Sequence, residues 1–246
     1  MANIEANQLS LHYRISGHKG AKFSGAKAPQ NLVELDNKQY ILALNKLNFS
    51  IKTGERVGLV GRNGSGKSTL LRVLGGLYSP TGGTLKVEGK TSSMFNINLG
   101  VQSDATGREN VIIRGLIKGW RRAEIDDRME EIIAFSELKD FIDLPLRTYS
   151  DGMRMRLLFA IATSFSPEIL LLDEWIGAGD AKFQAKAATR MNELVGQAGI
   201  VVIASHNKAI LNRVCTHAIW LDQGIMREFG EIGDVFEKMT LAAASK

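Results

Sequence analysis

The chain has 246 residues, 44% of them hydrophobic and 23% charged, which is ordinary globular usage and enough for an α/β domain with a substantial core. Its only cysteine, Cys215, cannot close an internal disulfide and points to a reducing compartment; the longest apolar runs, at 169–172 and 200–204, fall far short of a membrane span. The net charge of +5 is compatible with nucleic acid or an anionic membrane surface, but its cations are scattered among 26 acidic residues, so a solvated surface explains it better and composition does not choose a function; on the chain as a whole no nucleic acid is expected.

In chain order, IEANQLSLHYRI (4–15) alternates apolar and polar residues and reads as a strand. No charged n-region followed by an apolar h-region precedes it, so no secretory signal is expected. GHKGAKFSGAKAPQN (17–31) reads as a flexible insertion. Residues 37–55 supply further strand ending in a TGE turn, and ERVGLV (55–60) is a short strand of buried type. STLLRVLGGL (68–77) is a helix stopped by Gly75 and Gly76, and 82–90 returns to strand and turn.

From Gly107 to about Phe141 the period becomes helical, with Ile125, Met129, Ile132 and Ile133 on one face. A helix begins within YSDGM (149–153), EILLLDE (168–174) is a strand, 181–197 a polar helix, and GIVVIASH (199–206) a strand. HAIWLDQGIMREFG (217–230) closes as a hairpin turning at Asp222-Gln223-Gly224. Strands alternating with helices predict one α/β domain over 1–246: a parallel sheet core, antiparallel strands toward the N-terminus, and a helical insert.

GRNGSGKST (61–69) fits G-x-x-x-x-G-K-[ST] between a predicted strand and a predicted helix. Gly61, Gly64 and Gly66 let the backbone wrap so that N–H groups, including those of Arg62, Asn63, Ser65 and Thr69, can point at phosphate oxygens. Lys67 would place its charge on the β- and γ-phosphates, and Ser68 would offer its hydroxyl to Mg²⁺. Asp173, at the end of an apolar strand, is positioned to hold the metal's hydration shell, and Glu174 to polarise an attacking water. His206 also closes an apolar strand, where its ring can reach a γ-phosphate. Ser150, Asp151 and Gly152 open a helix, whose free N–H groups collect anions; on the local sequence alone an ordinary serine N-cap is the better account.

Taken together, GRNGSGKST, YSDGM, ILLLDE, GAGD (177–180) and IASH, in this order, resemble the nucleotide-binding subunit of an ABC transporter, over about residues 4 to 240. The resemblance implies a P-loop NTPase fold of ABC type, with a helical subdomain at about 103–165. It implies a homodimer with ATP and Mg²⁺ between the P-loop of one subunit and Ser150–Gly152 of the other. By resemblance Glu174 is the general base, His206 the switch histidine and Asp180 part of the loop joining the two ATP sites. Tyr40 is the candidate to stack on adenine, although an edge-strand tyrosine fits it nearly as well.

TGREN (106–110), YSDGMRMRLLFAIA and DEWIGAGDAKFQAK (173–186) are similar to subunits that export lipid-linked polysaccharide of the O-antigen, capsule or teichoic acid type. That implies a peripheral place on the cytoplasmic face of the inner membrane, beside a pair of permease subunits that handle the polysaccharide. The permease contact is expected over about 106–122, with Trp120 either an exposed anchor or a core residue. The sequence departs from the family pattern at Asp151, where a small residue is usual, and at Met153, where glutamine is usual. Gln102 is the nearest choice for the glutamine that senses the γ-phosphate and metal.

Overall fold

The structure, a computed structural model, describes residues 1–15, 31–35, 38–94, 97–174 and 181–244. Nearly all of the expected insertion at 17–31, and Asp180, lie outside these residues. Strands β1 (Asn3–Arg14), β2 (Leu32–Leu35), β3 (Lys38–Lys52) and β4 (Arg56–Val60) lead to helix α1 (Lys67–Leu74). Then follow β5 (Gly82–Glu88), β6 (Thr91–Ser93), α2 (Gly107–Ile117), α3 (Arg122–Ser136) and α4 (Asp151–Thr163). The chain continues through β7 (Ile169–Asp173), α5 (Ala181–Gln197), β8 (Ile200–Ala204) and α6 (Lys208–Val214). It closes with β9 (His217–Asp222), β10 (Ile225–Glu231) and α7 (Ile232–Ala244).

Two compact units result: one of residues 1–91, 168–174 and 199–246, the other of residues 92–167 and 175–198. The first holds an antiparallel sheet ordered β2-β3-β1-β5 and a second sheet ordered β10-β9-β4-β8-β7. In the second sheet β4 pairs in parallel with β8 and β9, and β7 with β8. The β8 strand is buried at every position, and β7 and β4 at all but one. The Val, Ile and Leu that dominate them are what a strand covered on both faces requires.

Register then levels the strand ends. Ala204 lies opposite Leu59 of β4 on one side and Asp173 of β7 on the other. Whatever follows these three strands emerges along one edge of the sheet, where ligands of open α/β sheets bind.

The second unit is helical. Val111, Ile125, Met129, Ile132, Ile133, Leu157 and Ile161 share one buried cluster, as the periodicity of α3 predicts. The predicted helical stretch from Gly107 to Phe141 is two helices. Gly119 takes φ +81°, and the backbone of Gly115 approaches Ile125 so closely that a β-carbon there would come 2.5 Å from Cδ1. The expected polar helix at 181–197 buries a stripe of Phe183, Ala187, Met191, Leu194 and Val195, the helical spacing of an amphipathic face. Trp120 stacks on Phe165 and packs against the cluster, so it serves the core; the large exposed apolar residues of this stretch are Leu116 and Ile117.

Thr106 and Glu109 form a reciprocal capping box at the start of α2. One turn later Asn110, fully buried, accepts from the Gln102 amide at 2.9 Å and donates to the Gln102 carbonyl at 2.9 Å. At the other end of α2, Lys118 donates to the Ser92 hydroxyl at 3.2 Å. Burial, reinforced by neighbouring Arg114, pushes its amine from its ordinary 10.5 down to about 8. The folded state thus binds this proton less tightly than the unfolded chain, and the penalty is complete below pH 8. Lys118→Met is expected to raise the melting temperature at pH 7 by about 5 °C. That gain should shrink as pH rises from 8 to 10.5, where the wild-type amine folds neutral; calorimetry across this range checks it.

Candidate active site

The loop between β4 and α1 is fixed by backbone demands that only glycine meets. Gly61, at φ +143°, runs so close to the β9 end that an added β-carbon would lie 2.1 Å from the Leu221 carbonyl oxygen. Gly66, at φ +110°, would meet the Ala43 carbonyl at 2.9 Å. The hairpin turn clasps the loop from below: the Gly224 amide donates to the Ser65 carbonyl at 2.9 Å, and the Gly224 carbonyl accepts from Asn45 at 2.8 Å.

Gly66 is the N-cap of α1, and no side chain caps that helix. The amides of Lys67, Ser68 and Thr69 therefore form an uncapped first turn, carrying the positive end of the helix dipole. Lys67 is 7% exposed. Its ammonium donates to the Gly61 and Arg62 carbonyls at 2.8 and 3.1 Å. Burial lowers its pKa, against the pull of Glu174 and then Asp173. Ser65 Oγ is buried without a hydrogen-bond partner.

Across the sheet edge, Ser68 donates to Asp173 Oδ1 at 3.2 Å. Glu174 follows with φ +65°, a strained conformation for a residue with a side chain. Its amide is held by the Ala204 carbonyl at 2.8 Å. The carboxylate accepts from Ser205 Oγ at 3.2 Å and lies 3.9 Å from His206 Nε2. Ser205 in turn accepts from the Asn207 amide at 3.1 Å, and Asn207 caps α6 through Ala209 and Ile210. The Ser205–Asn207 support was not read from the sequence; a polar residue between an apolar strand and a strand-end histidine was the available signal.

These groups line a cavity of about 440 Å³, together with Asn63, Gly64, Thr69, Tyr13, Ile41 and Ala43. Gly61, Arg62 and Ser65 do not line it; Gly61 and Arg62 border a separate cavity of about 200 Å³ with Trp220 and Met239. Tyr40 is not at the cavity either. In the β1–β3 register Tyr40 faces Arg14 and Ile41 faces Tyr13, and adjacent strand residues point to opposite faces. Among the described residues, the tyrosine at the cavity is Tyr13, which meets Tyr78 edge to face with centroids 5.6 Å apart.

Gln102, Ser150, Asp151 and Gly152 belong to the second unit. Ser150 caps α4 by accepting from the Met153 amide at 3.2 Å, the ordinary helix-start role. Tyr149 is buried and donates to the Phe141 carbonyl at 2.6 Å, which anchors the turn that opens α4. Met153 packs against the helical core, so an apolar side chain suits a position where glutamine was expected. Nothing lies nearer than 3.9 Å to a β-carbon built on Gly152.

A phosphate-sized glycine cradle, an uncapped helix start, a buried lysine and a strand-end carboxylate on a serine hydroxyl define a P-loop nucleoside triphosphatase. Residues 44–177 match the ABC transporter family. An O-antigen export system ATP-binding protein of Klebsiella pneumoniae, RfbB, is 35% identical over 99% of this chain and 97% of its own length. The protein of the same description from Myxococcus xanthus is 46% identical over 79% of this chain, which spans 45% of that longer protein. A dimeric post-hydrolysis structure of the ATP-binding cassette MJ0796 with ADP and Pi is alike in fold, with TM-score 0.66 at 22% identity over 93% of this chain and 98% of that one. The chain belongs to the ABC transporter family.

Gly61→Ala is expected to cost at least about 2 kcal/mol of stability, because its β-carbon would displace backbone. Gly152→Ala, with open space around it, should stay within about 0.5 kcal/mol of the parent. Chemical denaturation of the two variants checks the contrast.

Proposed function

We propose that the chain is the ATP-hydrolysing subunit of an exporter that moves a lipid-linked polysaccharide of the O-antigen type through a separate membrane permease. The observation that carries the reading is the level edge of β4, β8 and β7, which gathers Lys67, Ser68, Asp173, Glu174 and His206 around one cavity. The substrate class rests on the Klebsiella and Myxococcus relatives, both described as O-antigen export ATP-binding proteins. Among the described residues no helix is long and apolar enough to cross a membrane, which fits a peripheral subunit on the cytoplasmic face.

The residues present suit Mg²⁺ and a triphosphate. The α1 amides are uncapped, and a hard cation held by one carboxylate and one hydroxyl completes its shell with phosphate and water oxygens. Ser68 and Asp173 would hold the metal, with Gln102 a further candidate. When bound, Mg²⁺ supplies charge neutralisation at the phosphate oxygens.

The Lys67 ammonium, turned onto its own loop, exchanges carbonyls for phosphate oxygens. Glu174 takes a proton from water as the water oxygen bonds to the γ-phosphorus, and the bond to the β-phosphate oxygen breaks with its electrons leaving on ADP. Ser205 holds that carboxylate in place, and His206, at the same cavity, is the switch histidine that reaches the γ-phosphate. Tyr13 takes the base-stacking role expected of Tyr40. Gly152 presents bare backbone beside the Ser150 cap, and the second copy of a homodimer would bring its triphosphate there. Asp180 is assigned to the loop joining the paired sites.

Glu174→Gln is expected to slow hydrolysis at least about 100-fold and to accumulate an ATP-bound dimer by light scattering. Unchanged turnover removes Glu174 as the base, and a strictly monomeric ATP-bound variant removes the shared site. Tyr13→Leu should weaken ATP binding about tenfold, whereas Tyr40→Leu should leave it unchanged; titration calorimetry separates the two.

A further inference from the structure

Asn31 lines the nucleotide cavity and has no part in the chemistry described above. It immediately precedes β2, and its main chain already pairs with β3: the Leu42 amide donates to the Asn31 carbonyl at 2.8 Å. Its side chain repeats the pairing, with Nδ2 donating to the Leu42 carbonyl at 3.2 Å. A carbonyl only accepts, so the amide nitrogen faces Leu42 and the amide oxygen is the end left to meet a ligand. Among the described residues, the hydrogen bonds of Asn31 are these two, and Oδ1 takes part in neither. A clasp at the strand start accounts for the nitrogen and leaves the oxygen without a role.

Register places this amide at the end of the cavity away from the phosphate loop. Ala43 of β3 abuts the loop, since a β-carbon on Gly66 would meet its carbonyl at 2.9 Å. Ile41 also lines the cavity, two residues and about 7 Å further along the strand. In the sheet order β2-β3-β1, Ile41 is level with Tyr13 of β1 on one side and with Leu32 of β2 on the other. Asn31 adjoins Leu32, so the Tyr13 ring and the Asn31 amide flank Ile41 from either side. Their backbones are two strand spacings apart, about 10 Å. A purine stacked on Tyr13 and resting over Ile41 meets the amide with its edge.

We propose that Asn31 Oδ1 accepts a hydrogen bond from the 6-amino group of adenine and thereby selects ATP over 6-oxopurine triphosphates. Adenine donates at this position, whereas guanine and hypoxanthine present a carbonyl oxygen, which an acceptor repels. Stacking on Tyr13 does not make this choice, because every base has a π-face. An acceptor is also the wrong group for a phosphate, so the oxygen serves the base and not the triphosphate. This assignment rests on the proposed ATPase role of the cavity and adds the residue that chooses the base.

The test measures the affinity of the full chain for ATP, ITP, GTP and the triphosphate of purine riboside, which lacks the 6-amino group, by titration calorimetry. ATP is expected to bind about tenfold more tightly than each of the other three. Asn31→Leu should remove that preference: ATP weakens about tenfold, while the purine riboside triphosphate stays within about twofold of the parent and so shows an intact cavity. Should the variant fail to fold, the ranking of the four nucleotides on the parent chain still decides. A parent that binds GTP or ITP as tightly as ATP overturns the proposal. So does a variant that weakens ATP and the purine riboside triphosphate alike, because Asn31 then touches the ribose or the phosphates. Tyr13→Leu separates the two readings, since it should weaken all four nucleotides in common. Binding that depends on Tyr13 and not on Asn31 rejects only this inference, and absent triphosphate binding rejects the ATPase role.

Discussion

The backbone of Ala204 holds the catalytic edge together. It pairs with Leu59 on one side and Asp173 on the other, and its carbonyl receives the Glu174 amide. A slip of one residue in either pairing would turn every side chain of that strand to the opposite face. It would also move the carboxylates about 3.3 Å along the edge, more than the length of the Ser68–Asp173 hydrogen bond. The register is secured because each central strand is buried on both faces, leaving no polar face that a slipped strand could present to water.

That rigidity permits the strain at Glu174. A glutamate at φ +65° is unfavourable by about 1 kcal/mol or more, and it persists because Ala204 holds its amide and Ser205 its carboxylate. The result is a carboxylate that leaves the strand direction and turns into the cavity instead of continuing the ladder. Lys67 shows the same economy of space. Its buried ammonium is satisfied by two loop carbonyls, acceptors weaker than phosphate oxygens, so binding a triphosphate exchanges neutral partners for charged ones.

Contiguous chemistry was legible in the sequence, and chemistry assembled by register was not. The phosphate loop is a string of nine residues, and β7 and β8 carry unbroken apolar runs, so both could be read directly. That Tyr13 and not Tyr40 lines the cavity depends on which face of the antiparallel sheet meets the loop. The β1 strand carries register shifts between Ala6 and Leu9, Leu9 and Leu11, and Leu11 and His12, and each such irregularity breaks simple alternation. Helices α6 and α7 went unread for a different reason: α6 has seven residues, and α7 buries only Val235, so neither carries a strong apolar period. Asn110, Arg114 and Lys118 are polar letters in a helical pattern, which by default read as a solvated face; their burial reverses that reading.

Some features of the second unit are not required by its own fold. The capping box, the Asn110 clamp on Gln102 and the packed face of α3 all have partners within the unit. Gly152 has none: the helix would be more stable with alanine there, and nothing nearby forbids it. Arg114 and Lys118 likewise weaken the isolated chain, because a buried cation without its anion is a net loss. Residues that lower the stability of a subunit alone and fit no internal need are most economically explained by contacts the subunit makes with something else.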